Sequence, residues 1–309
     1  MLGSILGDFF NVETCLAQEN RNIMSLIQKI ARQVSGSDTD LISVKKISGG
    51  SINDAYKVRT TNGEIFLKTN RYELEPMFEK EVRGLSELRE LGAMGVPPVL
   101  GIGTMEDLSF LALELWSSDE PASDFWENMG RGLAKIHRNS APAFGMDFSN
   151  YIGELVQNNT WTEDGFEFFA NRRLLPLAIK ASDLGLMDRH EIKILESVCK
   201  ALPNLLPKEK PAFLHGDLWE GNVVVAPGGQ AGLIDPAVYF GFREAELAFT
   251  KLFQPFGSGF YESYQEEFPL VSGFEQRKDI YNLYPLLVHL ILFGASYRSR
   301  ILYVLNKFR

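Results

Sequence analysis

At 309 residues, 45% of them apolar and 23% charged, the chain has the size and composition of an ordinary globular protein of about two domains. Its net charge of −9 offers no basic field for a nucleic-acid backbone, although a nucleotide needs only one local cation. No apolar run reaches the ~18 residues of a membrane helix, and the N-terminus lacks the basic start and apolar stretch of a secretory signal. Cys15 and Cys199 have no metal-type spacing and read as free thiols, so the expectation is a cytoplasmic protein with no membrane partner.

Residues 1–23 show weak periodicity and read as an N-terminal extension, with Met24 a candidate start. From there apolar residues at 26, 27, 30, 31 and 34 have helical spacing. Three strand-like runs follow, "LISVKKI", "AYKVRT" and "EIFLKTN", with Gly49-Gly50 in the first connection and Asn62-Gly63, a hairpin signal, in the second. A strict two-residue turn at Asn62-Gly63 would set Lys68 opposite Lys57, so a bulge or longer loop is expected there. Pro76 to Leu91 reads as a helix closed by Gly92, and "VPPVLGIG" and "SFLALELW" read as strands. Residues 24–116 thus form a first lobe built on an antiparallel sheet. After the polar break "SSDEP", residues 117–309 form a helical second lobe. Helices are expected at 123–137, 163–181 with a kink near Pro176, 188–202 and much of 243–303, with a hairpin embedded around 213–235. The fold class expected is α+β and bilobal.

Candidate chemistry runs along the chain in one order. "SGGSINDAYKV" places Gly49, Gly50 and Ser51 between two strands, where backbone N–H groups can face anionic oxygens. Lys68 lies on the strand after it. Glu81 falls in the apolar stripe of Met77, Phe78, Val82, Leu85 and Leu88, where a carboxylate needs a partner, and Lys68 is the natural one. Glu114, Leu115 and Trp116 end the strand entering the crossing and offer backbone groups to an adenine edge. In "FLHGDLWEGN", Asp217 and Asn222 have the offset of the kinase pattern H-R-D-x-x-x-x-N, in which Asp takes the hydroxyl proton and Asn binds metal. His215 reads as a brace for this loop and not as a base, and His137, His190 and His289 show no ligand spacing. Reading Gly228-Gly229 as a two-residue turn sets Asn222 opposite Asp235, an amide oxygen and a carboxylate suited to Mg²⁺. Each feature alone also fits a plain turn, a surface charge or a hairpin with polar ends. Their order matches the parts of a phosphoryl-transfer site using ATP and Mg²⁺.

"FLHGDLWEGN" with "GLIDPAVYFGFREAELA" resembles the fructosamine/ketosamine kinase family, within the aminoglycoside-phosphotransferase-like kinases of protein-kinase-like fold. "GGSIN", "FLKTN", "MFEKEVRGL", "LAKIHR", "NYIGELVQNNTWTEDGFEFFANRRL" and "IYNLYPLLVHLILFGASY" agree, from about residue 24 to the end. The resemblance implies ATP-dependent phosphorylation of a sugar hydroxyl on small-molecule ketosamines or glycated lysine side chains, a deglycation role. It casts Asp217 as the base, Asn222 and Asp235 as Mg²⁺ ligands, Lys68 held by Glu81 as the α/β-phosphate cation, and Trp219, Trp161 and Arg173 as substrate-side residues. The chain departs from protein kinases at Asp235-Pro236-Ala237, where they have D-F-G, and from its relatives at Ser51, where some have Cys, and at Gly165, where they often have Trp. The rival readings are another small-molecule kinase of aminoglycoside- or choline-kinase type, and a catalytically silent nucleotide-binding protein.

Overall fold

The computed structural model describes residues 22–47, 53–71, 75–116 and 119–308. Gly49, Gly50, Ser51, Cys15 and most of the expected extension lie outside them. The chain divides into two compact units. One runs to Glu79 and includes Pro98–Leu115; the other comprises Lys80–Pro97 and Trp116 onward.

The first unit is one antiparallel sheet with a helix against it. Its strands are β1 (Leu41–Ile47), β2 (Asp54–Thr60), β3 (Gly63–Arg71), β4 (Val99–Met105) and β5 (Leu108–Glu114), in the order β1-β2-β3-β5-β4. Helix α1, residues 22–35, delivers Ile27, Ile30 and Ala31 to a core shared with Tyr56, Val58, Ile65, Leu67, Phe110 and Ala112. Gly101 on β4 lets Val34 approach, since a side chain there would collide with it.

The β2–β3 turn departs from its expected form. Thr60 pairs with Gly63, so the two-residue turn is Thr61-Asn62, one position earlier than read. The Thr60 hydroxyl donates to the Gly63 carbonyl (2.8 Å) and accepts from the Asn62 amide (3.1 Å), while Asn62 Nδ2 donates to Thr39 Oγ1 (2.9 Å). Lys68 therefore faces Ala55, and Lys57 faces Phe66. The like-charge contact is removed by a shifted turn, with neither bulge nor longer loop.

The second unit is helical around three two-stranded ribbons: β6 (Asn150–Ile152) with β7 (Leu155–Gln157), β8 (Ala212–Leu214) with β11 (Tyr239–Gly241), and β9 (Val223–Ala226) with β10 (Gln230–Leu233). Its helices include α3 (Phe125–His137), α4 (Gly165–Phe168), α5 (Leu175–Asp183) and α6 (Arg189–Leu205), the last opened by an Asp188–Glu191 capping box. A π-helical stretch, Phe169–Leu174, joins α4 to α5 and accounts for the irregularity expected near Pro176. Then come α7 (Arg243–Phe249), α8 (Phe260–Glu267), α9 (Phe274–Tyr281), α10 (Leu283–Phe293) and α11 (Arg298–Phe308). Among the described residues no helix is long and apolar enough to cross a membrane.

One boundary differs from the sequence reading. Helix α2 (Glu75–Leu91) and the residues after it were expected in the first lobe, yet residues 80–97 cluster with the second unit. The cause is local. The Gly95 amide donates to the Ala231 carbonyl (3.2 Å), and the Leu233 amide donates to the Gly95 carbonyl (2.9 Å). Gly84 on α2 packs against Pro236 and Val238. Trp116, also expected in the first lobe, lies against Gly95 and Gly232, where added side chains would meet its ring.

Candidate active site

Topology brings the two candidate segments together. Residues 215–222 connect β8 to β9, and residues 234–238 connect β10 to β11. Because β8 pairs with β11 and β9 with β10, both connections are clamped between the same two ribbons.

Direct bonds then tie one segment to the other. His215 Nε2 lies 2.9 Å from the Ile234 carbonyl, and the Ala237 amide donates to the His215 carbonyl (2.8 Å). Gly216, at φ 87°, lies where any side chain would strike the Ala237 backbone, so this close approach requires glycine. The Asp217 amide donates to His215 Nδ1 at 3.3 Å. A carbonyl on one ring nitrogen and an amide N–H on the other fix the neutral tautomer with hydrogen on Nε2. Burial also pushes the His215 pKa down. The expected bracing role of His215 is what the geometry gives.

Asn222 is buried, and its Nδ2 donates to the Asp217 carbonyl (2.7 Å) and to Asp217 Oδ2 (3.2 Å). Its amide oxygen is thereby the atom turned toward any cation. The hairpin register corrects the sequence reading: Ala226 pairs with Gln230, so the loop is Pro227-Gly228-Gly229. Asn222 accordingly meets Ile234, whose amide donates to the Asn222 carbonyl (3.1 Å), and Asp235 is the next residue. Asp235 has φ 57°, a left-handed conformation rare outside glycine, at which the chain leaves the ribbon. An amide oxygen and a carboxylate on neighbouring segments remain a hard-oxygen pair of the kind Mg²⁺ takes together with phosphate oxygens and water. Among the described residues no three His, Cys, Asp or Glu groups converge on one point.

Sequence reasoning missed the support beneath this loop. Glu246 on α7 accepts hydrogen bonds from the amides of His215 (3.1 Å) and Gly216 (2.7 Å), and its Oε2 lies 2.9 Å from His137 Nε2. His137 Nδ1 in turn lies 2.8 Å from the Tyr264 hydroxyl. His137, given no role from its place at a helix end, is a buried member of this brace. The one available signal was a glutamate among apolar residues of "GFREAELA".

The other predicted residues separate by environment. Lys68 is buried on β3, on the face opposite Ile65 and Leu67; Glu81 is half-buried on α2. The Glu114 amide donates to Pro98 (2.9 Å) and the Leu115 amide to Glu64 (3.1 Å). Neither N–H is therefore offered to an adenine edge, and that expectation narrows to carbonyls and Trp116. Trp219 and Trp161 expose 42% and 43% of their surface, flat apolar faces of the kind a sugar stacks on. Trp219 folds over Gly221, which has no side chain to obstruct it. Arg173 contradicts its expected substrate-side role: it is wholly buried, against the rings of Phe168, Tyr239 and Tyr284. The space beside Gly165 is filled by Phe144 and Phe242, so the Trp of relatives has no room there.

The family described as Fructosamine kinase matches residues 23–308. A "Probable ketoamine kinase" of Vibrio parahaemolyticus is 34% identical over 91% of this chain and 98% of its own. A chloroplastic protein-ribulosamine 3-kinase of Oryza sativa subsp. indica is 34% identical over 88% of this chain and 80% of its own. The crystal structure of a Thermobifida fusca protein provisionally identified as a fructosamine-3-kinase superposes with a TM-score of 0.79 at 32% identity, covering 91% of this chain and 97% of that one. Crystal structures of a Streptococcus pneumoniae choline kinase and of a spectinomycin phosphotransferase, at 16% and 13% identity with TM-scores of 0.61 and 0.54, share the fold alone.

Proposed function

The chain belongs to the fructosamine kinase family, and from that premise we propose that it transfers the γ-phosphoryl group of ATP to a sugar hydroxyl of a ketosamine. The observation that carries this reading is the pair of segments at 215–222 and 234–238, stitched so that Asp217, Asn222 and Asp235 lie on adjoining stretches of chain. In the reaction the hydroxyl oxygen bonds to the γ-phosphorus as the bond to the β-phosphate oxygen breaks. ADP leaves, and the hydroxyl proton passes to an Asp217 carboxylate oxygen. Asn222 Nδ2 holds Asp217 Oδ2 in place for that transfer. The Asn222 amide oxygen and the Asp235 carboxylate would hold Mg²⁺, which would supply neutralisation of phosphate charge. Lys68 would supply the cation for the α- and β-phosphates, and Glu81, Gly49, Gly50 and Ser51 are proposed for the same nucleotide. Trp219 and Trp161 offer stacking faces to the sugar. The reaction needs little covalent chemistry from the protein, so positioning and charge account for most of the rate.

The name of the Oryza relative, a protein-ribulosamine 3-kinase, supports counting ribulosamines among the proposed acceptors. A cytoplasmic location is consistent with such substrates. The test is an ADP-release panel of ribulose- and fructose-derived ketosamines against aminoglycosides and choline, with and without Mg²⁺. Turnover of ketosamines alone supports the reading. Turnover of the amino alcohols, or nucleotide binding without turnover, overturns it. Asp217→Asn is expected to fold normally and lose ~10²-fold or more in kcat.

A further inference from the structure

We propose that Gln157 is a positioning residue for phosphoryl transfer, the near end of a buried hydrogen-bond chain that takes its direction from Arg173 and holds the 235–238 segment against the Asp217 loop. This rests on the kinase reading above, and it gives a purpose to "NYIGELVQNN", a stretch that the proposed site leaves unused.

The chain begins with a buried cation. Arg173 has no exposed surface, and among the described residues no carboxylate lies within ion-pair reach of it. Burying an unpaired charge is costly, so its surroundings must compensate. The guanidinium carbon lies 4.1 Å from the Tyr239 ring centre and 4.5 Å from that of Phe168. Nη1 donates to the Asn158 carbonyl (2.8 Å) and Nη2 to Asn159 Oδ1 (2.6 Å).

A guanidinium has donors and no acceptor, and that fact orients every amide beyond it. Asn159 must turn its oxygen to Arg173, so its Nδ2 donates to Asn150 Oδ1 (3.1 Å). Asn150 then has only Nδ2 left to give, and it donates to the Val238 carbonyl (2.9 Å). Gln157, directly across the β6–β7 ribbon from Asn150, donates both hydrogens of Nε2, to Asn150 Oδ1 (2.7 Å) and to the Ala237 carbonyl (2.9 Å). Its Oε1 accepts from the Tyr284 hydroxyl (2.6 Å). Asn150, Gln157 and Asn159 are each at most 3% exposed, and no amide in the chain can flip without setting two acceptors or two donors face to face.

The chain ends where positioning matters. Ala237, whose carbonyl Gln157 holds, is the residue whose amide bonds the His215 carbonyl and whose backbone packs on Gly216. Fixing Ala237 fixes the stretch carrying Asp235 relative to the loop carrying Asp217 and Asn222.

Gln157→Glu tests this without changing shape, because it sets an acceptor where the amide donated to two acceptors. Two readouts are used: kcat for a ketosamine across pH, and the Mg²⁺ dependence of ADP affinity by calorimetry. The variant is expected to lose ~10-fold or more in kcat, with the ketosamine KM within ~3-fold of wild type, and to need more Mg²⁺ to tighten ADP. Lowering the pH protonates the introduced carboxylate and restores a donor to the Ala237 carbonyl, so the ratio of variant to wild-type kcat should rise on acidification. Should that variant fail to fold, Gln157→Met, which removes both donors to Asn150 and Ala237 without adding a carboxylate, should show the same greater Mg²⁺ requirement. Wild-type Mg²⁺ dependence in the folded variants, or a kcat ratio flat with pH, overturns the proposal. The calorimetry needs no phosphoryl acceptor. A wild-type protein that binds Mg-ADP yet phosphorylates no ketosamine would sink the functional reading and leave this one to its own readout.

Discussion

Glu246 is buried beside two imidazoles, and its ionisation decides how the Asp217 loop is held. Burial alone would raise its carboxyl. The hydrogen bond from His137, the fields of His137 and His215, and the Gly216 amide outweigh that and keep it below the usual glutamate value of 4.5. His215, its neighbour, is pushed below 6.5 by the same burial. Both shifts make the unfolded chain the better proton acceptor at acid pH. For His215, stability is complete above 6.5 and falls as the pH drops from there toward its folded value. For Glu246 it holds down to 4.5 and falls below that. His289, lowered by burial beside Phe253 and Tyr297, adds to the upper window from a separate place. The melting temperature should thus decline in two stages on acidification. His215→Gln keeps a donor for the Ile234 carbonyl but takes the acceptor from the Asp217 amide. It should cost ~1 kcal/mol at neutral pH and flatten the upper stage to the part His289 contributes. Thermal melts of both proteins across pH measure this, and an unchanged upper slope would remove His215 as its source.

At the scale of an element, the β9–β10 hairpin shows how a ribbon's loop sets its chemistry. Gly228 and Gly229 both have positive φ, at 80° and 77°. An added Cβ at Gly228 meets nothing, whereas one at Gly229 meets the Ala122 amide and the Glu120 carbonyl at 2.8 Å. Gly228→Ala should therefore cost ~1 kcal/mol for backbone strain alone, and Gly229→Ala clearly more. Equal losses in paired denaturant titrations would contradict this account. The hairpin also marks how far sequence reasoning reached. The ribbon, its glycines and the residues at its open end were legible from composition and alternation. The register was not, because it turns on whether Pro227 pairs or joins the loop, and one residue of slip moves every partner. The same happened at Asn62-Gly63, where the Thr60 hydroxyl and the anchoring of Asn62 to Thr39 chose the earlier turn. Glu246 was missed and Arg173 misplaced for a related reason. Sequence shows that a charge sits in an apolar stretch, while its donors and rings come from residues as distant as Tyr284.

Across the whole molecule, α2 is the element whose residues are shared between the units, Glu75–Glu79 in one and Lys80–Leu91 in the other. Its apolar stripe was plain in the sequence, but a stripe does not reveal which body it packs on. Gly84 decides that for the later turns. A Cβ there would lie 3.1 Å from Pro236 Cγ and 3.5 Å from Val238 Cγ2, so the helix backbone rests almost directly on the segment that follows Asp235. Glu81 stands one turn before Gly84 on the same face. Gly84→Ala asks Pro236 to yield a few tenths of an ångström and should be mild. Gly84→Leu cannot be accommodated that way and should lift this part of α2 from Pro236, displacing Glu81 and disturbing Asp235 together. The expected kinetic signature is a raised KM for ATP with kcat lowered ~10-fold or more, while the ketosamine KM stays near wild type. Steady-state kinetics beside a far-ultraviolet spectrum separate that from simple unfolding. A folded Gly84→Leu protein with unaltered ATP kinetics would mean that α2 can leave Pro236 without consequence.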